Sequence, residues 1–255
     1  NHIWFYEGDL AAARHWMRRV AELDPGLVGY ALSGCRLLLD LRQLDAARTC
    51  VEGFASRAPD APAVLLTSGL VALSEGRNQV ARDTLQAMLE NHAEAEPFLT
   101  GLATQALMLA GDDEGALAHF RSRLPGLFQP DSEFPDRDVS LVVDAGTLMM
   151  RSDPVVGRPI LEAALRRMET LDRIRGGDAY RWHDIYARAA LGQEAQAVAA
   201  LREAVDSGLR WHNWMIDHRP ELDPIRDHPD FQAAMADLLA DIERQREAMP
   251  MDAAP

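Results

Sequence analysis

The chain has 255 residues, 47% of them hydrophobic and only 6% aromatic, with 40 acidic residues against 26 basic ones and a formal net charge of −14. That apolar share excludes a disordered chain, and a charge of this sign excludes the basic stripe of a nucleic-acid binder. All the basic residues are arginine, so Schiff-base and phosphate-loop lysine chemistry are excluded as well.

Apolar runs are short, as at Leu37–Leu39 closed by Asp40. None approaches the ~20 residues that a membrane span needs. The chain opens on Asn-His-Ile-Trp without a signal-peptide pattern, which reads as a piece cut from a longer polypeptide. Two cysteines are too few for a disulfide scaffold or a metal-ligand spacing.

Small residues recur along the chain at Ala13, Ala47, Ala81, Ala116, Gly157 and Ala197, at steps of 34, 34, 35, 41 and 40 residues. Five positions before most of them stands a turn residue: Gly8, Arg42, Gly76, Gly111 and Gly192. Four positions after comes a large apolar residue: Met17, Val51, Leu85, Phe120, Leu161 and Leu201. Between these marks the apolar spacing is helical, as in Ala116, Leu117, Phe120 and Leu124, and again in Ala197, Val198, Leu201 and Val205. Each unit therefore reads as a helix, a tight turn and a second, antiparallel helix. Segments 124–138, with Pro125, Pro130 and Pro135, and 172–178, with Gly176-Gly177, read as loops between units. After Gly208, residues 209–247 read as a closing segment. There Phe231, Ala234, Met235, Leu238, Leu239 and Ile242 form the apolar face of a last helix, and 248–255 a flexible tail.

A 34-residue helix–turn–helix with Gly at the turn, Ala five residues later, a large apolar residue four beyond and a closing Asp24-Pro25 resembles the tetratricopeptide repeat. The resemblance covers residues 1–208, about six hairpins with the first truncated, and the first three match best. It implies an all-α, right-handed superhelical solenoid of antiparallel hairpins with a C-terminal capping helix. Departures are Arg42 in place of the turn Gly, Ile185 where a small residue is expected, and a fifth unit marked mainly by Ala145 and Gly157. The phrase Leu222-Asp223-Pro224-Ile225-Arg226, followed by Pro229-Asp230-Phe231, resembles the closing segment of repeat regions in bacterial signalling proteins. Those are winged-helix membrane regulators, class III nucleotide cyclases and serine/threonine kinases.

Chemistry-bearing residues are scattered. His212, His218 and His228 lie near Asp217, Asp223 and Asp227, but without metalloprotease or zinc-finger spacing, and they read as structural polar contacts. No catalytic residue, metal site or cofactor is expected. Cys35 and Cys50 are equidistant from the turn near Arg42, at one height of their hairpin. They read as two buried thiols or, should their Cα atoms come within roughly 7 Å, as a disulfide of an oxidising compartment.

In the resembling superhelices the first helix of each hairpin lines a concave groove. That register assigns to it Leu32, Arg36, Leu39, Leu66, Leu70, Leu73, Phe98, Gln105, Met108, Val142, Met149, Met150, Trp182 and Tyr186. The set predicts an apolar trough that receives a protein or peptide segment. With no lysine and only Arg36 in it, gripping of a terminal carboxylate is excluded, and the acidic surface favours neutral or basic, apolar segments. The expected function is a non-catalytic interaction or sensory module of a bacterial signalling or regulatory protein. The alternatives are the regulatory region of a cyclase or kinase whose catalytic domain lies elsewhere, and a sensor of a small hydrophobic ligand. A homodimer stays open, as does the choice between bacterial cytoplasm and periplasm.

Overall fold

The structure is a computed structural model that describes residues 8–23, 28–128, 133–175 and 180–248. Every regular element among them is helical. The chain forms two compact units. The first comprises Asn1–Asp112, Arg210–His218 and Leu239–Pro255, and the second Asp113–Leu209 and Arg219–Leu238.

In the first unit, α1 spans Leu10–Leu23, α2 Val28–Asp40, α3 Leu44–Ala55, α4 Pro62–Ser74, α5 Asn78–Asn91 and α6 Pro97–Leu109. Helices α4 and α6 begin on proline, whose missing N–H costs nothing at a first helical position. Helix α2 pairs with α3 and α4 with α5, while α4 also packs against both α2 and α6. Flanked on so many sides, α4 buries Val64, Leu66, Leu70, Val71 and Leu73 around most of its circumference.

The ends of α2, α4 and α6 share one geometry. Arg42, Gly76 and Gly111 take φ of 57°, 72° and 86°. In each case the next amide reaches back five residues: Gln43 N to Leu38 O, Arg77 N to Ala72 O and Asp112 N to Leu107 O. This is the Schellman closure, which satisfies last-turn carbonyls and reverses the chain at once. Arg42 fits the same turn without being glycine, and its side chain gives the reason. It pairs with Asp217 and donates from Nε to Asn213 Oδ1 at 2.8 Å and from Nη2 to Asn213 O at 3.2 Å. Beside it, the His212 amide donates to Asp40 Oδ1 at 2.7 Å, and Asn213 Nδ2 to Asp40 O at 2.8 Å.

Hairpin partners approach closest where the first helix carries a small residue. A Cβ built on Gly69 would lie 2.6 Å from the Leu85 side chain, so only glycine leaves room for that leucine. Thirty-four residues earlier, the equivalent position is Cys35, and there a disulfide joins it to Cys50 with the Cα atoms 5.6 Å apart. A cross-link closing a loop of this size contributes about 3 kcal/mol in the chain-entropy account. Of the two alternatives left open by the sequence, the structure has the bridge.

The second unit contains α7 (Asp113–Arg123), α8 (Val139–Ser152), α9 (Pro154–Arg175), α10 (Arg181–Ala190) and α11 (Glu194–Asp206). Hairpins α8–α9 and α10–α11 form, and α8 packs on α10. Gly192 and Gly208 repeat the left-handed closure, with φ of 74° and 91°. The α8–α9 junction does not, since Asp153 has φ −146°. There the close approach passes to Gly157, where an added Cβ would meet Met150 N at 2.5 Å and Met149 C at 2.8 Å. Helix α9 also runs further than the sequence implied. Asp172 to Arg175 are helical rather than loop, because the buried stripe Leu161, Ala164, Leu165, Met168 and Leu171 holds its period up to the glycines. Residues 176–178 of that expected loop lie outside the described residues, as do 249–255 of the expected tail.

The closing segment does more than cover a last layer. Short 3-10 turns at Asn213–His218 and Pro220–Ile225 precede helix α12, Pro229–Glu247. The Pro220–Ile225 turn packs on α10 and α11 in the second unit, burying Leu222 and Ile225. In the first unit, Asn213–His218 packs on α2, and Gln245 exchanges hydrogen bonds with Gly8 O (2.9 Å) and Leu10 N (2.7 Å). A purely one-dimensional stack has no such contacts between distant stretches of chain. On α12 the buried stripe is Phe231, Ala234, Leu238 and Ile242, and Leu239 is exposed rather than part of it.

Gly157→Ala presses a methyl against main chain that cannot move aside, and should cost about 1–3 kcal/mol. Gly53→Ala in α3, with nothing within 4 Å of its added Cβ, should instead gain a few tenths up to about 1 kcal/mol. Urea denaturation of both variants checks the contrast, and equal effects would remove the close-approach argument.

Candidate functional site

The groove set divides between the units. Leu32, Arg36, Leu39, Leu66, Leu70, Leu73, Phe98, Gln105 and Met108 belong to the first, and Val142, Met149, Met150, Trp182 and Tyr186 to the second. Only Phe98 is exposed, at 48%, while Arg36 and Met150 are half-buried and all the others are buried. The expected open apolar trough is thus corrected. First helices that touch side by side bury the same i, i+4 positions that the register assigned to a free surface.

In the first unit Arg36 and Phe98 meet. Helices α2 and α6 both pack on α4, and the Arg36 guanidinium of α2 comes 5.7 Å from the centroid of the Phe98 ring of α6. The arginine folds back along α2, where Nη2 donates to Ser33 Oγ at 2.9 Å. Its Nη1 is buried and finds no acceptor among the described residues. Burial lowers the Arg36 pKa, and the nearby Asp40 and Glu96 carboxylates oppose that shift. Phe98 opens α6 directly after Glu96-Pro97, and all three residues are exposed. The face therefore combines an uncovered aromatic ring, a half-buried arginine and a surface carboxylate.

In the second unit the assigned residues enclose charge. Arg219, completely buried, donates from Nη1 to Asp144 Oδ1 at 2.8 Å and to Glu221 Oε1 at 3.1 Å. Its guanidinium lies 4.0 Å from the centroid of Tyr186, which stacks on Trp182 at 6.3 Å. Burial alone would lower the pKa of Arg219, but Asp144 and then Glu221 override it, and the net shift is upward. The Tyr186 hydroxyl is pushed up by burial. Arg151 bridges Glu221 to Asp113, at 3.3 Å on each side. His183, one residue after Trp182, is buried beside this cluster, and its Nδ1 lies 3.5 Å from Ser140 Oγ. Burial first, and the positive Arg219 second, bring its pKa down to about 3, so the ring is neutral. Such a group supplies rigidity, since a buried ion pair with one partner removed leaves an uncompensated charge.

Asp144, His183, Arg219 and Glu221 were missed in the sequence reading. A lone Asp inside the apolar run of α8 was the one available signal. The histidines near the closing segment make packing contacts: Trp211 with His212 and Trp214 with His218, both edge to face. Among the described residues no group of three or more His, Cys, Asp or Glu side chains is placed to hold a metal ion. Comparison with family models, curated proteins and solved structures returned no match.

Because the folded state holds His183 neutral while the unfolded chain protonates it near pH 6.5, unfolding takes up a proton, and stability falls as pH drops below that value. Between pH 6.5 and about 5, above the carboxylate range, the His183 contribution is about 1.4 kcal/mol per pH unit. Urea denaturation across this window should show the slope in the parent chain and lose most of it in His183→Gln. An unchanged slope would contradict the burial of a neutral ring.

Proposed function

We propose that this chain is a non-catalytic interaction module, a right-handed tetratricopeptide-like stack of helix hairpins that serves a bacterial signalling or regulatory protein. It binds a segment of another protein across the first helices of its hairpins. The observation that carries the reading is the meeting of Arg36 and Phe98. Three consecutive first helices, α2, α4 and α6, lie side by side and give one face an exposed aromatic ring seated on a guanidinium. Aromatic and arginine side chains of this kind dominate binding energies at protein interfaces.

The regular step of the turns supports a repeat scaffold. Arg42, Gly76 and Gly111 stand 34 and 35 residues apart with the same left-handed backbone and the same five-residue bond. A fold of this kind supplies rigid helix faces rather than a reaction centre. The buried Cys35–Cys50 bond favours an oxidising compartment for this segment. No helix among the described residues is long and apolar enough to cross a membrane.

The test separates Phe98 from the buried residues of the same face. Leu70 and Met108 are 1% exposed, so charged substitutions there report folding rather than binding. Phe98→Ala leaves the core intact and should weaken partner binding by about tenfold or more, the loss expected for a truncated aromatic anchor. Val155→Ala, at an 82% exposed valine of α9, should leave binding unchanged. Affinity purification from the native host with the parent chain and both variants checks this. Proteins retained equally by all three would contradict the reading.

A further inference from the structure

We infer that the Cys35–Cys50 bond is a redox-sensitive lock. Oxidised, it keeps residues 210–217 held against the end of α2, and a dithiol reductant that cuts it releases them. The ring closed by the bond runs from Cys35 to Cys50 and contains Asp40 and Arg42, the two residues that grip the closing segment. Arg42 pairs with Asp217 and donates to Asn213, while Asp40 accepts the His212 amide and the Asn213 side chain.

This grip carries backbone strain on both sides. Among the described residues only Arg42 and His212 combine a positive φ with a side chain, at 57° and 55°. Residues in that conformation persist only where their surroundings over-determine them, and they gather at switch regions. The equivalent turns of the same unit are closed by Gly76 and Gly111, which carry no such penalty. The hairpin also lacks an interlock that others have. In α4–α5 the Leu85 side chain fills the notch left by Gly69, and in α8–α9 Leu161 fills the one at Gly146, where an added Cβ would lie 2.6 and 2.7 Å away. In α2–α3 the matching residues, 34 positions earlier than Gly69 and Leu85, are Cys35 and the smaller Val51. The covalent bond stands in place of the interlock, and once it is cut the strained turn loses its constraint.

The bond lies at the rim of its hairpin. Cys35 is enclosed, but Cys50 keeps 6% of its surface, and its neighbours along α3, Ala46, Thr49 and Gly53, are small and exposed. A thiolate of the reductant attacks Cys50 Sγ, and Cys35 leaves as a thiolate and takes up a proton. The second thiol of the reductant then attacks the mixed disulfide, which frees Cys50 as a thiol and leaves the reductant oxidised. In the oxidising compartment that the bond favours, the locked form is the resting state and such a dithiol is the signal.

Hydrogen exchange on the 255-residue chain, with and without dithiothreitol and in the absence of denaturant, tests the lock. Iodoacetamide labelling read by mass spectrometry reports the state of the thiols. Dithiothreitol should open both cysteines to labelling and speed exchange of the His212 amide about fivefold or more, the size of one lost hydrogen bond. Its neighbours in 210–217 and the amides of α2 and α3 should follow, while α4, α5 and α6 keep their protection. Cys35→Ala with Cys50→Ala should show the fast pattern whether or not the reductant is present. A bond that resists dithiothreitol in the folded protein would overturn the inference. So would reduced protein, or the double variant, in which 210–217 stay protected. Loss of protection in every helix at once would overturn it too, since the bond is then a structural staple and not a switch.

Discussion

A helix that ends in a left-handed residue reverses its chain within three positions, and this chain uses that turn at every described end of α2, α4, α6, α10 and α11. The backbone bond across five residues satisfies a carbonyl of the last turn, and at α2, α4 and α10 the next helix packs back on the one just finished. Close contact then requires a small residue near the start of the second helix. Ala47, Ala81 and Ala197 each bond back to the residue just past their turn and have no exposed surface. Where the turn is missing, at Asp153, the hairpin still closes because Gly157 lets the two backbones touch.

The two units spend their charges differently. In the second, Arg219 is taken out of water completely and held by Asp144, Glu221 and the face of Tyr186, which fixes a 3-10 turn against α10. Charges desolvated to this degree add little net stability even when well paired, but they penalise every arrangement that separates them. In the first unit Arg36 is half-buried, with its guanidinium 5.7 Å from the centroid of the exposed Phe98 ring. Buried donors without an acceptor among the described residues remain on both arginines, Nη1 of Arg36 and Nε and Nη2 of Arg219.

The repeat period was legible because it depends on glycine and alanine at fixed distances, and the backbone reason for each is local. Even Arg42 was visible as a departure. Why it departs was not, since its partners Asn213 and Asp217 stand more than 170 residues away. The buried pair of Asp144 with Arg219 was hidden for the same reason, with 75 residues between them. The groove set failed as a surface because helical periodicity marks positions that face another element without saying whether that element is a neighbouring helix or a partner. Phe98, in the first turn of α6, stays exposed. The height of Cys35 and Cys50 in their hairpin was readable from the turn, whereas their bonding depended on a backbone distance that sequence does not contain.

The turn belongs to the backbone, while the residue placed in it is free to take on other work. At Arg42 that work is to hold residues 210–217 against the end of α2. Hydrogen exchange on Arg42→Gly tests it directly. Glycine accepts the left-handed conformation more readily, so amides of α2 and α3 should keep their protection, while those of 210–217, including the His212 amide bonded to Asp40, should exchange faster. Loss of protection in α2 and α3, or none in 210–217, would contradict the account.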